Sequence, residues 1–322
     1  MVSTVIKKIK LCWLGLAVLV LSLVAFAFPP MASAAPADPL VGFGAGTTGG
    51  QGGSTVTVTT LSAFQSAVSG STARIVRVSG IITISSVVQI GSNKTIIGVG
   101  SNSGFTGSGL EVEGGNHNVI FQNLVISFAV GQACIRIHDG NHIWIDHNTL
   151  FTDRNHGADF YDGLINITKG SDDVTVSWNI LRDDFETSLI GASDSDGSLD
   201  KGHEKVTFHH NWFLNDTERT PSLRFGTGHV YNNYFQNVTD GIHSRMGAQM
   251  LIENNVFRNT TVAVHTHGSS SQDGFANIRG NDFGGAAVNI TQTGTFTTAP
   301  YSYTLDATSS VISNVTTFAG AH

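Results

Sequence analysis

Three observations predict an all-β fold, specifically a right-handed, single-stranded parallel β-helix with a capping helix at its N-terminal end. A strand–turn–strand segment recurs along the chain, turn formers and β-branched residues abound, and no disulfide framework is possible. The repeat covers Val119–Asn123, Ile143–Asn148, Val174–Asn179, Val206–Asn211, His229–Asn233, Met250–Asn255 and Ala276–Asn281. An apolar residue stands three places before each closing Asn: Ile120, Ile145, Val176, Phe208, Val230, Ile252 and Ile278. Another stands two places after it: Val125, Leu150, Leu181, Phe213, Phe235, Phe257 and Phe283. Alternation across a strand turns these positions into inward stacks, and the Asn marks a bend where its amide can bond the backbone or its neighbours. From Asn123 onward the spacings are 25, 31, 32, 22, 22 and 26 residues, the rung length of a solenoid with inserted loops. A four-stranded propeller blade would need about twice that period. The two longest intervals, after Asn148 and Asn179, are where loops able to carry a site leave the scaffold. Leu61–Gly70 is the best helix candidate, with Leu61, Phe64, Ala67 and Val68 on one face to close the open end of the solenoid.

Residues 1–34 read as a signal peptide, with Lys7, Lys8 and Lys10 before an apolar stretch and Ala32-Ser33-Ala34 as the cleavage site. Residues 35–322 then form a single secreted domain, and no later segment is long and apolar enough to span a bilayer. Removal of the leader takes three lysines and no acids, moving the formal charge from −7 to −10. That net charge argues against nucleic acid as a partner. An acidic polymer remains a possible partner only if a divalent cation or a local group of Arg and Lys lies between the two sets of negative charge. Cys12 lies in the leader, so Cys134 is alone in the mature chain and the core must hold the fold.

Candidate site residues come from the loops and outward strand positions. Asp146 alternates with the inward Ile143 and Ile145. Asp162 and Asn166 share parity, but a straight strand would separate them by roughly 13 Å, so they can serve one ion only if the chain bends at Gly163. Carboxylate and amide oxygens with no Cys or His at metal spacing favour a hard cation, Ca²⁺ before Mg²⁺.

The sequence resembles the pectate lyase and pectin lyase family. The likeness is carried by Gly42–Gly50, Trp144–Asn148, Tyr161–Ile165, Leu189–Asp196 and Arg219–His229, in the family's order and through nearly all of the mature chain. It implies a parallel β-helix that cleaves α-1,4-polygalacturonan by calcium-assisted β-elimination; a monomer is the default for a secreted enzyme that must reach an insoluble polymer. It places Asp146 and Asp162 on calcium-ligand acids, Arg219 on the arginine proposed as catalytic base and Arg224 on a substrate-binding arginine, with Pro221 between the two arginines. Two positions depart from the pattern. Asn166 stands where a third calcium acid is usual, and Glu186 stands where a lysine usually meets the substrate carboxylate. Arginine is normally protonated, so the resemblance also implies an alkaline optimum or a depressed guanidinium at Arg219. The departures keep two alternatives open: a pectin lyase acting on methyl-esterified polymer, and a catalytically impaired pectin-binding protein. A hydrolase would need paired carboxylates; Asp172-Asp173 is an adjacent pair but lies directly before a strand. For His209-His210, strand alternation predicts one core and one surface histidine.

Overall fold

The computed structural model describes residues 40–322; the predicted signal peptide lies outside the described residues. Three parallel sheets of ten, nine and eight strands wind around one apolar core. A typical turn runs from Asn141–Asp146 in the ten-stranded sheet to Thr149–Phe151 in the eight-stranded sheet and Ile165–Thr168 in the nine-stranded sheet. Asp172–Ser177 then begins the next turn. Stacking in register puts identical positions above one another: Ile145 pairs with Val176, Val176 with Phe208, and Phe208 with Val230. Phe213, Phe235 and Phe257 stack with ring centroids 4.8 and 4.3 Å apart.

The bend between the first two sheets explains the recurring Asn. Asn148, Asn179, Asn211, Asn233, Asn255 and Asn281 form a continuous internal ladder. Each backbone N–H from Asn148 to Asn255 donates to the next side-chain Oδ1, at 2.9–3.0 Å. Each Nδ2 also reaches a carbonyl of the preceding turn, as Asn211 does to Val176. The residue before each ladder member is left-handed, with φ of 51° at His147, 54° at Trp178 and His210, and 52° at Asn232. Only a side chain that tolerates αL can stand there at modest cost.

The first copy is shifted by one residue from the sequence reading. Asn123 itself occupies the left-handed position, with φ 55°, and Leu124 stands in the ladder place, its N–H donating to Asn148 Oδ1. Consequently Phe121 and Ile126 point inward where Ile120 and Val125 were expected. Ile278 also departs: it lies in the last strand of its sheet, is 37% exposed, and has no further turn to cover it.

The helix Leu61–Val68 forms where expected, burying Phe64, Ala67 and Val68 and capped by the Thr60 hydroxyl. At the other end the helix Thr308–Phe318 lays Val311 and Val315 against Tyr234 and Val256 on the outside of the eight-stranded sheet. The outer face of the ten-stranded sheet is covered too. Phe43 and Gly44 N–H groups donate to Thr207 and Thr175, and the Tyr301 hydroxyl meets Thr207 and His229. His209 and His210 are therefore both buried, both outside the apolar core, and stacked on Tyr231 and Trp178.

The ladder predicts a measurable stability effect. Asn211→Ala removes an acceptor from Asn179 and a donor from Val176 in a fully buried site, so urea unfolding should show a loss of about 3 kcal/mol. A loss under about 1 kcal/mol would mean the ladder contributes little.

Candidate active-site cleft

The nine-stranded sheet presents the outward face that bears the cleft residues. Its central outward row is Glu111, Arg136, Asn166, Leu189, Ser222, His243 and His265, one residue per turn. The long intervals in the repeat become loops bordering this sheet. Residues 152–164 enter it and contain the short 3-10 turn Ala158–Phe160; residues 191–204 leave it and contain Gly197–Asp200. The second loop is fastened to residues 269–271 through Asp194, which accepts from the Ser270 hydroxyl, the Ser271 N–H and Arg224 Nε. Burial opposes ionisation of Asp194, but these donors outweigh it and hold the carboxyl well below its ordinary range.

Arg219 precedes the strand Ser222–Arg224 in a left-handed conformation, φ 60°, before a cis Thr220–Pro221 peptide. Its Nη2 donates to Glu186 Oε1 at 2.7 Å, and its Nε lies 3.7 Å from Glu218. Arg224, at the far end of the strand, donates to Asp194 at 2.7 Å and to the Gly191 carbonyl at 2.8 Å. Asp162 lies on the entering loop beside Arg219 and Arg136; burial raises its carboxyl above the usual range and the two guanidinium groups oppose that rise. Glu186 is also raised, first by burial and then by Glu218, Asp159 and Asp162, against the pull of Arg219.

The chain does bend at Gly163, φ 89°, and Asn166 Nδ2 donates to the Asp162 carbonyl at 3.0 Å. That bond and the one from Leu189 N–H to Asn166 Oδ1 commit the amide to backbone. Asp146 is not part of this cleft. It lies on the ten-stranded sheet, 1% exposed, with its carboxylate accepting from Gln122, His147 and Ser177 at 2.7–2.9 Å. The outward parity was read correctly, but the face is a covered one, and every donor around Asp146 is a protein side chain. With Asp146 elsewhere, Asn166 committed and Glu186 paired, the donor set does not fit a preformed calcium cage. Among the described residues no three His, Cys, Asp or Glu side chains meet as a metal site.

Residues 16–322 match the family model described as pectate lyase. The chain belongs to the pectate lyase family. It is 43% identical over 261 residues to a probable pectate lyase A of Aspergillus fumigatus, covering 80% of this chain and 79% of that one. Pectate lyase A of Aspergillus niger is 42% identical over 278 residues, covering 85% and 84%. The pectate lyase of Bacillus sp. N165, solved with trigalacturonate, superposes with a TM-score of 0.78 at 31% identity over 88% of this chain and 98% of that one. Pectate lyase II of Xanthomonas campestris gives 0.75 at 32% identity, again covering 88% and 98%. The protein is accordingly a polysaccharide lyase.

Three charged residues beside the candidate cleft escaped the sequence reading. Arg136 is ion-paired with Glu111 on the neighbouring turn, and Asp194 positions Arg224. Arg245 pairs in register with Arg224, is 5% exposed and joins no ion pair among the described residues. Burial, with Arg224 and Arg219 nearby, lowers its guanidinium to about 10. Strand parity offered a signal for the two arginines, since Arg136 alternates with Ile135 and Ile137, and Arg245 with Ser244.

Two predictions follow from this placement. Asp146→Ala should cost about 2–4 kcal/mol of stability by stranding buried donors, while kcat/KM of the folded fraction stays within about threefold; a large activity loss at unchanged stability would return Asp146 to a catalytic role. The second concerns Glu204, fully buried behind Gly191 with neither carboxyl oxygen meeting a donor, and neighboured by Asp200. Burial and Asp200 raise its carboxyl to about 10, so the folded state keeps a proton that the unfolded chain releases above its ordinary carboxylate range. The stability this supplies is fully present below about pH 4.5 and is lost as pH rises toward 10. Glu204→Gln should therefore flatten the decline in melting temperature between pH 5 and 10, and an unchanged slope would show that Glu204 ionises freely in the fold.

Proposed function

We propose that the outward face of the nine-stranded sheet is the catalytic cleft and that it cleaves pectic α-1,4-polygalacturonan by β-elimination, with Arg219 as the base. The observation carrying this reading is the grouping of Arg219, Arg224 and Arg245 on adjacent turns of a strongly acidic chain. Such a local cationic set is what an anionic polymer requires of a protein with net negative charge. In the reaction Arg219 acts as the neutral guanidine that alkaline pH supplies: the C5–H bond breaks and its proton passes to the unprotonated nitrogen, giving the guanidinium. The electron pair forms the C4–C5 double bond as the C4–O glycosidic bond breaks, and the departing oxygen takes a proton from water. Arg224 and Arg245 neutralise polymer carboxylate and stabilise charge that develops at C5. Glu186 holds Arg219 through Nη2, and no hydrogen bond engages its Nη1 among the described residues.

Calcium belongs to this proposal through the family resemblance. Asp162 and Glu186 are the carboxylates on this face, but Glu186 is held by Arg219 and Asn166 Oδ1 already accepts from Leu189 N–H, so these residues make no cage for the ion by themselves. Secretion rests on the leader-like residues 1–34, and a monomer is the form suited to reaching an insoluble polymer.

Elimination creates a conjugated double bond, so the mature protein on pectins of differing ester content should raise ultraviolet absorbance as unsaturated uronides accumulate. Comparing added Ca²⁺ with a chelator measures its contribution. Arg219→Ala should lower kcat by on the order of 10²–10⁴-fold with the fold retained. New reducing ends without absorbance would make the protein a hydrolase and overturn the proposal.

A further inference from the structure

The charges of the cleft are sorted along the solenoid. Arg136 is matched by Glu111, Arg224 by Asp194, and Arg219 is shared between Glu186 and Glu218. The surplus on the earlier turns is acidic: Asp159 and Asp162 join no ion pair among the described residues, and both act on Glu186. The surplus on the later turns is cationic: among the described residues Arg245 has no carboxylate partner, it reaches the Ser269 carbonyl at 3.3 Å, and its buried Nε meets no acceptor. From the turn of Asn166 to that of Arg245 is three strand spacings, about 14 Å, so a bound polymer crosses from one charge environment to the other.

Resting on the lyase reading above, we propose that Glu186 sets the substrate class: the cleft selects partially methyl-esterified pectin. An uncharged esterified galacturonate sits over Asp162 and Glu186, and a free carboxylate sits at Arg224 and Arg245. A free galacturonate over the acidic turns would meet like charge from Asp159, Asp162, Glu186 and Glu218. A methyl ester removes that repulsion. It also makes the C5–H more acidic than the carboxylate does, because the carbanion then forms beside a neutral carbonyl. This chemistry suits a cleft whose donor set does not make a cation cage. A fully esterified polymer, in turn, leaves Arg245 unmatched.

The test is a matrix of initial rates from unsaturated-uronide absorbance on pectins graded from polygalacturonate to fully esterified, with the wild type, Glu186→Gln and Glu186→Lys. Melting temperatures show that each variant is folded. The wild type should be fastest at intermediate ester content. Glu186→Lys should move the optimum to low ester content by lowering KM for polygalacturonate about tenfold relative to KM for the fully esterified polymer, and Glu186→Gln should fall between. Arg245→Lys retains charge and should keep the wild-type optimum, whereas Arg245→Gln should move it toward higher ester content. A wild type fastest on polygalacturonate, with the same ester preference in both Glu186 variants, overturns this inference and leaves the lyase reading standing. Absence of unsaturated product on every substrate overturns the lyase reading itself, and the inference with it.

Discussion

The in-register parallel ladder is the constraint on which everything else depends. Once each turn stacks on the last, a residue's partners are fixed by its position in the turn rather than by its distance in sequence. Arg224 and Arg245 become neighbours although 21 residues separate their numbers. The internal Asn ladder secures this register at the bend between the ten- and eight-stranded sheets, where the chain must change direction without leaving buried N–H groups unpaired. Loops of different length can then be inserted elsewhere without disturbing the stack, which is why the long intervals bear Asp162 and Asp194.

The same stacking explains the balance of charge in the cleft. Side chains on adjacent turns stand about 5 Å apart, close enough that a carboxylate or guanidinium on one turn determines what the next can tolerate. Arg136 beside Glu111 and Arg219 beside Glu186 are products of that spacing. An ion pair that is partly exposed contributes little stability, so these pairs matter more for what they present to substrate. On the proposed reading, the carboxylate that holds Arg219 in place would also compete with the polymer for it.

Much of the fold was legible because the Asn ladder and the apolar residues around it are both written in the repeat. The single-residue error at Asn123 has a physical cause: Asn suits the left-handed bend as well as the ladder position beside it, and the first copy uses it only for the bend. In later copies, such as Asn232-Asn233 and Asn254-Asn255, both places hold Asn. The capping helix was readable from one apolar face. The covering of the ten-stranded sheet by residues 296–306 was not, because those residues carry no repeat and their contacts are set by distant partners such as Thr207 and Glu253.

The candidate site divides along the same line. Arg219, Arg224, Glu186 and Asp162 were accessible through motif and residue chemistry, and the structure gathers them on one sheet. Asp146 has equally persuasive chemistry and the correct outward parity, yet parity distinguishes inside from outside and says nothing about which of three outer faces remains open. In a solenoid that second question is decided by the terminal segments. They cover two faces with Phe43, Tyr301 and the helix Thr308–Phe318, and the proposed cleft lies on the third, the nine-stranded sheet. A carboxylate under such a cover is stabilised by protein donors, as Asp146 is by Gln122, His147 and Ser177. Among the described residues no donor saturates the Asp162 carboxylate, which is the condition for acting on something that arrives from outside.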